Sequence, residues 1–177
     1  YPIVYYVTIS TGSGGAVIVD GKLVSGGRGH AGEIGNIIVK NNGYKFGGWN
    51  PGASEAEGSG AAITRKGKEL LGEDVVSHAG DVFALAAKGN TVAEGIVDEV
   101  ISQLATMFAD IAHVVDPYCF VMGGGVMKSK KYFFDRLEEQ FNQKIHVGMR
   151  GHIKLLQTEL EDCGAIGAAM LPMSRLG

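Results

Sequence analysis

Apolar positions change their period along the chain. The first run, Ile3-Val4-Tyr5-Tyr6-Val7-Thr8-Ile9, is built of β-branched and aromatic residues and predicts a buried strand. Ala16–Val19 and Lys22–Val24 predict two more strands, joined by Asp20-Gly21, a strong two-residue hairpin signal. Ile37–Lys40 predicts another short strand. Residues 41–60 carry Asn-Asn-Gly and Gly-Gly-Trp-Asn-Pro-Gly with little periodicity, the expectation for a loop lying over a site or a partner. Beyond residue 60 the spacing lengthens. Ile63, Leu70 and Leu71 suit one helix, and Val82, Leu85 and Ala86 a second that begins near Asp81. Val97, Val100, Ile101, Leu104, Phe108, Ile111 and Val115 recur at three- and four-residue steps, the clearest amphipathic helix of the chain. Asp116-Pro117 stops it, because proline cannot continue a helix. Residues 118–122 predict a buried strand running into Gly123-Gly124-Gly125. A helix over about 129–143 follows, with Phe133, Phe134, Leu137 and Phe141 inward, then a strand at 153–156 and a small-residue helix at 164–171. A β-meander followed by α/β alternation predicts an α/β layer fold with helices packed on a mixed sheet, and excludes a pure bundle or sandwich.

The length of 177 residues suits a single domain with its own core. The 28 glycines cluster at 12–15, 26–35, 43–60 and 123–125, where backbone must turn sharply or approach something closely. A formal charge of −3 and the lack of a dense basic run beyond Lys128, Lys130 and Lys131 do not indicate a nucleic-acid surface. Nucleic acid enters only if a DNA-binding domain precedes this sequence. Cys119 and Cys163 form no CxxC pair, consistent with a reduced, cytoplasmic protein. No apolar run is long enough to span a bilayer. The chain opens at Tyr1-Pro2 without Met and enters its first strand at once, which is the expectation for a fragment.

Thr11-Gly12-Ser13-Gly14-Gly15 joins the first two strands with hydroxyls between glycines. Such a turn can aim backbone N–H groups at an anion, with Thr11 and Ser13 adding donors, although the same pattern also makes plain turns. No G-x-x-x-x-G-K-[ST] loop occurs. Gly27–Gly32 formally matches G-x-G-x-x-G, but an extended run follows it rather than a helix, so the dinucleotide reading fails on context.

Taken in order, Val7–Gly15, Asp20-Gly21-Lys22-Leu23 and Gly29-His30-Ala31-Gly32-Glu33-Ile34-Gly35 resemble the signature of the ROK family of repressors and sugar kinases. Asp116-Pro117 with Val121–Val126 is similar to its adenosine-contacting stretch, and Cys163–Ala169 to its closing helix. The resemblance runs from about residue 3 to about 171. It implies an actin-like ATPase fold of two ribonuclease-H-like lobes, with this chain as the carboxy-terminal lobe. It also implies ATP contact at Thr11, Gly12, Ser13, Gly14, Gly123, Gly124 and Gly125, and sugar contact at Glu33, Asn36 and Glu55. A carboxylate suits the last task, since two acceptor oxygens can bridge neighbouring hydroxyls.

The departures are specific. Where many members hold a structural zinc with one His and three Cys, this chain has Asn36, Phe46, Gly48 and Ala53, of which Phe, Gly and Ala cannot ligate zinc. No zinc is expected, and Phe46 and Trp49 are expected to supply an apolar anchor for the loop instead. Asn36 keeps hydrogen-bonding capacity without a charge. His30, His78, His113, His146 and His152 form no ligand spacing.

The resemblance implies transfer of the ATP γ-phosphoryl group to a hexose-type hydroxyl with Mg²⁺. The catalytic Asp is expected on the amino-terminal lobe, so no residue of this chain is assigned as catalytic. A homodimer is a family-level expectation. The rival expectation is the effector-binding domain of a ROK-type transcriptional repressor.

Overall fold

The computed structural model describes residues 1–174. Its centre is a five-stranded sheet of order β3-β2-β1-β4-β5. Strand β1 (Ile3–Ile9) pairs antiparallel with β2 (Ser13–Val19), and β2 with β3 (Lys22–Val24). On the other side of β1, β4 (Cys119–Gly123) runs parallel to it, and β5 (Lys154–Gln157) runs parallel to β4. The hairpin at Asp20-Gly21 forms as expected. Both residues take positive φ (48° and 76°), the geometry of a type I′ turn that suits strand twist.

Alternation along β1 sets the core. Tyr5, Val7 and Ile9 are buried beneath the helices, while Val4, Tyr6 and Thr8 are half-buried on the other face. The long helix α4 (Thr91–Val115) lies on that core. Asn90 caps it by accepting from Ala93 N at 3.0 Å, and Asp116 ends it in the left-handed region just before Pro117. Helix α5 (Phe134–Lys144) packs beside it. Phe108 of α4, Phe120 of β4 and Phe141 of α5 meet edge to face with centroids 4.9–6.4 Å apart, the geometry favoured by the ring quadrupole. The short α1 (Ser54–Gly58), then α2 (Gly60–Leu71) and α3 (Ala79–Ala86), complete the layer. Helix α6 (Cys163–Ser174) exposes Ile166 and Met170, and its first residue is tied to β1 where Tyr6 Oη and Cys163 Sγ lie 3.0 Å apart. Burial and this cysteine contact push the Tyr6 phenol up to about 12.

Four local expectations are corrected. Ile37–Lys40 forms no strand: Ile38 makes a lone bridge to Ala53, and the N–H groups of Val39 and Lys40 both turn onto Gly52 O. Ser13, Gly14 and Gly15 belong to β2 rather than to the turn, because they pair with Ile9, Thr8 and Val7 of β1, and Gly15 leaves room for the Tyr5 ring. Residues 125–132 are 3-10 turns, and the α-helix begins only at Phe134, after Phe133 has stacked inward on Phe83 at 5.3 Å. The stretch 41–60, read as loop throughout, contains α1. That helix has small residues where larger ones would signal burial, since Leu104 packs against bare Gly58.

Candidate functional site

The turn between β1 and β2 is Ser10-Thr11-Gly12, and α2 is docked on it. Gly60 N donates to Ser10 O at 2.7 Å and Ala61 N to Thr11 O at 3.2 Å. Beside the turn, Gly124 takes φ 93°, and a side chain there would strike Thr8 Oγ1 at 2.8 Å as well as the Ile9 carbonyl. Only glycine fits at 124 without strain. The turn and the triple glycine therefore stand side by side at the ends of neighbouring parallel strands.

They border a cleft of about 890 Å³ that is also lined by Gly60, Arg65, Lys68 and Lys128. Arg65 is already engaged, with Glu69 at 3.0 Å, the Ala56 carbonyl at 3.3 Å and the Tyr44 ring at 3.7 Å. Lys68 and Lys128 bring two ammonium groups to the cleft, next to the exposed Thr11 and the bare Gly125, while Glu69, paired with Arg65, and Glu73 line its other part. This donor set fits a polyanionic ligand such as a nucleotide phosphate chain. A second hollow, of about 940 Å³, lies past Gly123 and Gly124 toward Thr158 and Cys163. Gly12, Ser13 and Gly14 border neither space. Among the described residues no group of three or more His, Cys, Asp or Glu could hold a metal.

Behind the turn sits Glu55, on α1. Its Oε2 accepts from Ser13 N at 2.8 Å and its Oε1 from Trp49 Nε1 at 2.6 Å. The carboxylate reaches the turn because Gly12 is bare: a Cβ there would lie 2.5 Å from Glu55 Oε2. Gly35, between Glu33 and Asn36, is also against this oxygen, since its Cβ would be 3.4 Å away. Asn36 Oδ1 accepts from Asn50 N at 2.9 Å, the residue after Trp49. Glu55 and Asn36 thus hold adjacent residues of one loop, Trp49 and Asn50. Glu33 is exposed and its side chain bonds no other group among the described residues. Ser13 Oγ is buried and has no hydrogen-bond partner among the described residues.

The expected apolar anchor of the 36–53 loop is corrected. Phe46 is 46 % exposed and lies outside the core, while Trp49 acts through its indole N–H. The loop is held by polar contacts instead. Ser54 Oγ donates to Ile34 O at 2.6 Å, Gly52 N to Tyr44 O at 3.0 Å, and Tyr44 N to Glu57 Oε1 at 2.5 Å. Glu57 is buried and paired with buried Lys66 at 3.0 Å. Glu57 and Lys66 belong to no motif of the sequence, and Trp49 is expected there only as an apolar anchor. Alternation of Glu55 and Glu57 around one small residue, beside the chain's single tryptophan, was the available signal.

The model of the ROK family matches residues 2–175. A glucokinase of Thermotoga maritima is 30 % identical over 97 % of this chain, which covers 58 % of that protein. A ROK hexokinase from Thermus thermophilus superposes with a TM-score of 0.87 at 26 % identity, over 99 % of this chain and 59 % of the other. A ROK glucokinase from Streptomyces griseus, solved with glucose and AMPPNP, gives 0.83 at 28 % identity, over 100 % of this chain and 62 % of the other. The chain thus spans under two thirds of the length of these relatives, and its sheet is that of an actin-like ATPase lobe. With its family model matched almost end to end, the chain belongs to the ROK family.

Proposed function

We propose that this chain is the carboxy-terminal, nucleotide- and sugar-contacting lobe of an ATP-dependent kinase acting on a hexose-type sugar. The observation that carries the reading is the position of Glu55, whose carboxylate packs on bare Gly12 of the β1–β2 turn, accepts from Ser13 N at the start of β2, and meets the loop of Asn36 and Asn50 through Trp49. Phosphoryl transfer requires a phosphate chain and an acceptor hydroxyl to be held within reach of each other. In this reading the cleft beside Thr11, Lys68, Lys128 and Gly123–Gly125 takes the nucleotide, and Glu33, Asn36 and Glu55 take the sugar hydroxyls. Gly12, Ser13 and Gly14, where the turn enters β2, stand between the two, with the Ser13 N–H given to Glu55. ATP supplies the phosphoryl group, and Mg²⁺ accompanies it to neutralise phosphate charge. The group that removes the hydroxyl proton belongs to the part of the relatives' length that this chain does not span.

The names of the similar glucokinase and hexokinase support a sugar acceptor, and the AMPPNP bound by the Streptomyces griseus enzyme supports a nucleotide donor. The test is phosphorylation of a hexose panel with ATP and Mg²⁺ by the complete two-lobed protein. Turnover of at least one hexose supports the kinase. Sugar binding without turnover, together with sugar-dependent DNA binding, would move the reading to a ROK repressor's effector domain. A homodimer and a cytoplasmic location accompany the proposal as family-level expectations.

A further inference from the structure

We infer that Lys66 is a positioning residue for the sugar site: its buried ammonium locks α1 and the 40–44 loop into the arrangement in which Glu55 faces Trp49 and Ser13. The inference rests on the reading of Glu55 as sugar-contacting. Lys66, on α2, is 6 % exposed. Its Nζ lies 3.0 Å from Glu57 Oε2, 3.1 Å from Glu57 O, 3.3 Å from Gln103 Oε1 and 3.4 Å from Glu99 Oε2. It thus grips α1 by both the side chain and the main chain of one residue, and ties it to two positions of α4. Glu57 is only two residues from Glu55 in a five-residue helix, so fixing Glu57 fixes the direction of Glu55.

The same ladder holds the loop. The second oxygen of Glu57 takes Tyr44 N, and Gly43 must be bare for that approach, since a Cβ would run into Glu57 Oε1 and Gly52 Cα. Glu99 Oε1 takes Lys40 Nζ at 2.6 Å. That contact raises the Lys40 ammonium above its ordinary value. Burial works against ionisation of Glu99, yet Lys40 and Lys66 together hold its carboxyl below the usual range. Both ends of the 40–44 segment are therefore pinned to α1 and α4, upstream of Trp49 and Asn50. A buried ion pair is a weak stabiliser compared with well-packed apolar groups, but it is directional, and removing one member leaves the other charge uncompensated. The set fits a role in fixing geometry better than one in supplying stability.

The test compares Lys66→Met, Lys66→Arg and Glu57→Gln in the complete protein, with Glu55→Gln as control. Trp49 is the only tryptophan of the chain, and with any tryptophan of the other lobe replaced it reports on the Glu55 contact without ligand. Lys66→Met is expected to red-shift Trp49 emission and to weaken D-glucose binding at least tenfold, with AMPPNP binding changed less than twofold. Lys66→Arg should restore most of both. Should Lys66→Met fail to fold, Glu57→Gln decides, with the same shift expected. A folded Lys66→Met or Glu57→Gln protein with wild-type Trp49 emission overturns the inference, as does equal loss of glucose and AMPPNP binding. If Glu55→Gln leaves D-glucose binding unchanged while Lys66→Met still shifts Trp49, the sugar reading fails and the positioning role stands.

Discussion

Trp49 Nε1 donates to Glu55 Oε1 at 2.6 Å, which places the chain's only indole on the carboxylate assigned to the sugar. A sugar that recruits Glu55 must share or displace this bond. Adding the accepted hexose should therefore change Trp49 emission in the wild type. Glu55→Ala should abolish the ligand-induced change, and a fluorescence titration of both proteins checks it.

Gly124 carries its positive φ where a Cβ would meet Thr8 Oγ1 and the Ile9 carbonyl. Gly124→Ala should cost about 1–3 kcal/mol through backbone strain alone. It should also weaken nucleotide binding, because β4 cannot stay seated against the β1–β2 turn. Urea unfolding and AMPPNP titration separate the two effects.

Asp81 Oδ2 accepts from Ser77 N, Ser77 Oγ and His78 N ahead of α3. These bonds, led by the Ser77 amide, hold its carboxyl at about 2, below the ordinary 3.8. A folded-state value below the unfolded one stabilises the fold above pH 3.8, and that contribution is lost as pH falls through about 2. Asp81→Asn should be less stable than wild type at pH 7, with the gap closing between pH 4 and pH 2. Thermal melts across that range measure it.

Phe108 is fully buried at the meeting of α4, β4 and α5. Phe108→Ala should lose about 3–5 kcal/mol, the range for truncating a core aromatic. Chemical denaturation of the variant reads the loss directly.

Much of the sheet and the long helix was legible because each carries a single clear period. β1 reads as seven near-continuous β-formers, and α4 repeats at helical spacing until Asp116-Pro117. The region 37–60 was not legible, and the reason is physical. Its structure comes from distant polar partners: Ser54 Oγ on Ile34 O, Tyr44 N on Glu57, Lys40 on Glu99. None of these contacts leaves a periodic trace. Glycines such as Gly43 and Gly52, which look like loop filler, are close-packing positions with backbone in the way of any side chain. Family resemblance supplied Glu55 as a candidate, but its direct tie to Ser13 N at the start of β2 emerged only from the fold.

In the proposed kinase, Glu55 holds the sugar beside the turn that borders the nucleotide cleft. The most direct measurement is the kcat/KM of the complete protein and its Glu55→Gln variant, with ATP, Mg²⁺ and a hexose panel. Turnover of at least one hexose by the wild type is expected, with a loss of roughly a hundredfold or more in the variant, about 2.7 kcal/mol of transition-state stabilisation. A wild type that phosphorylates no hexose, or a variant as active as the wild type, would contradict it.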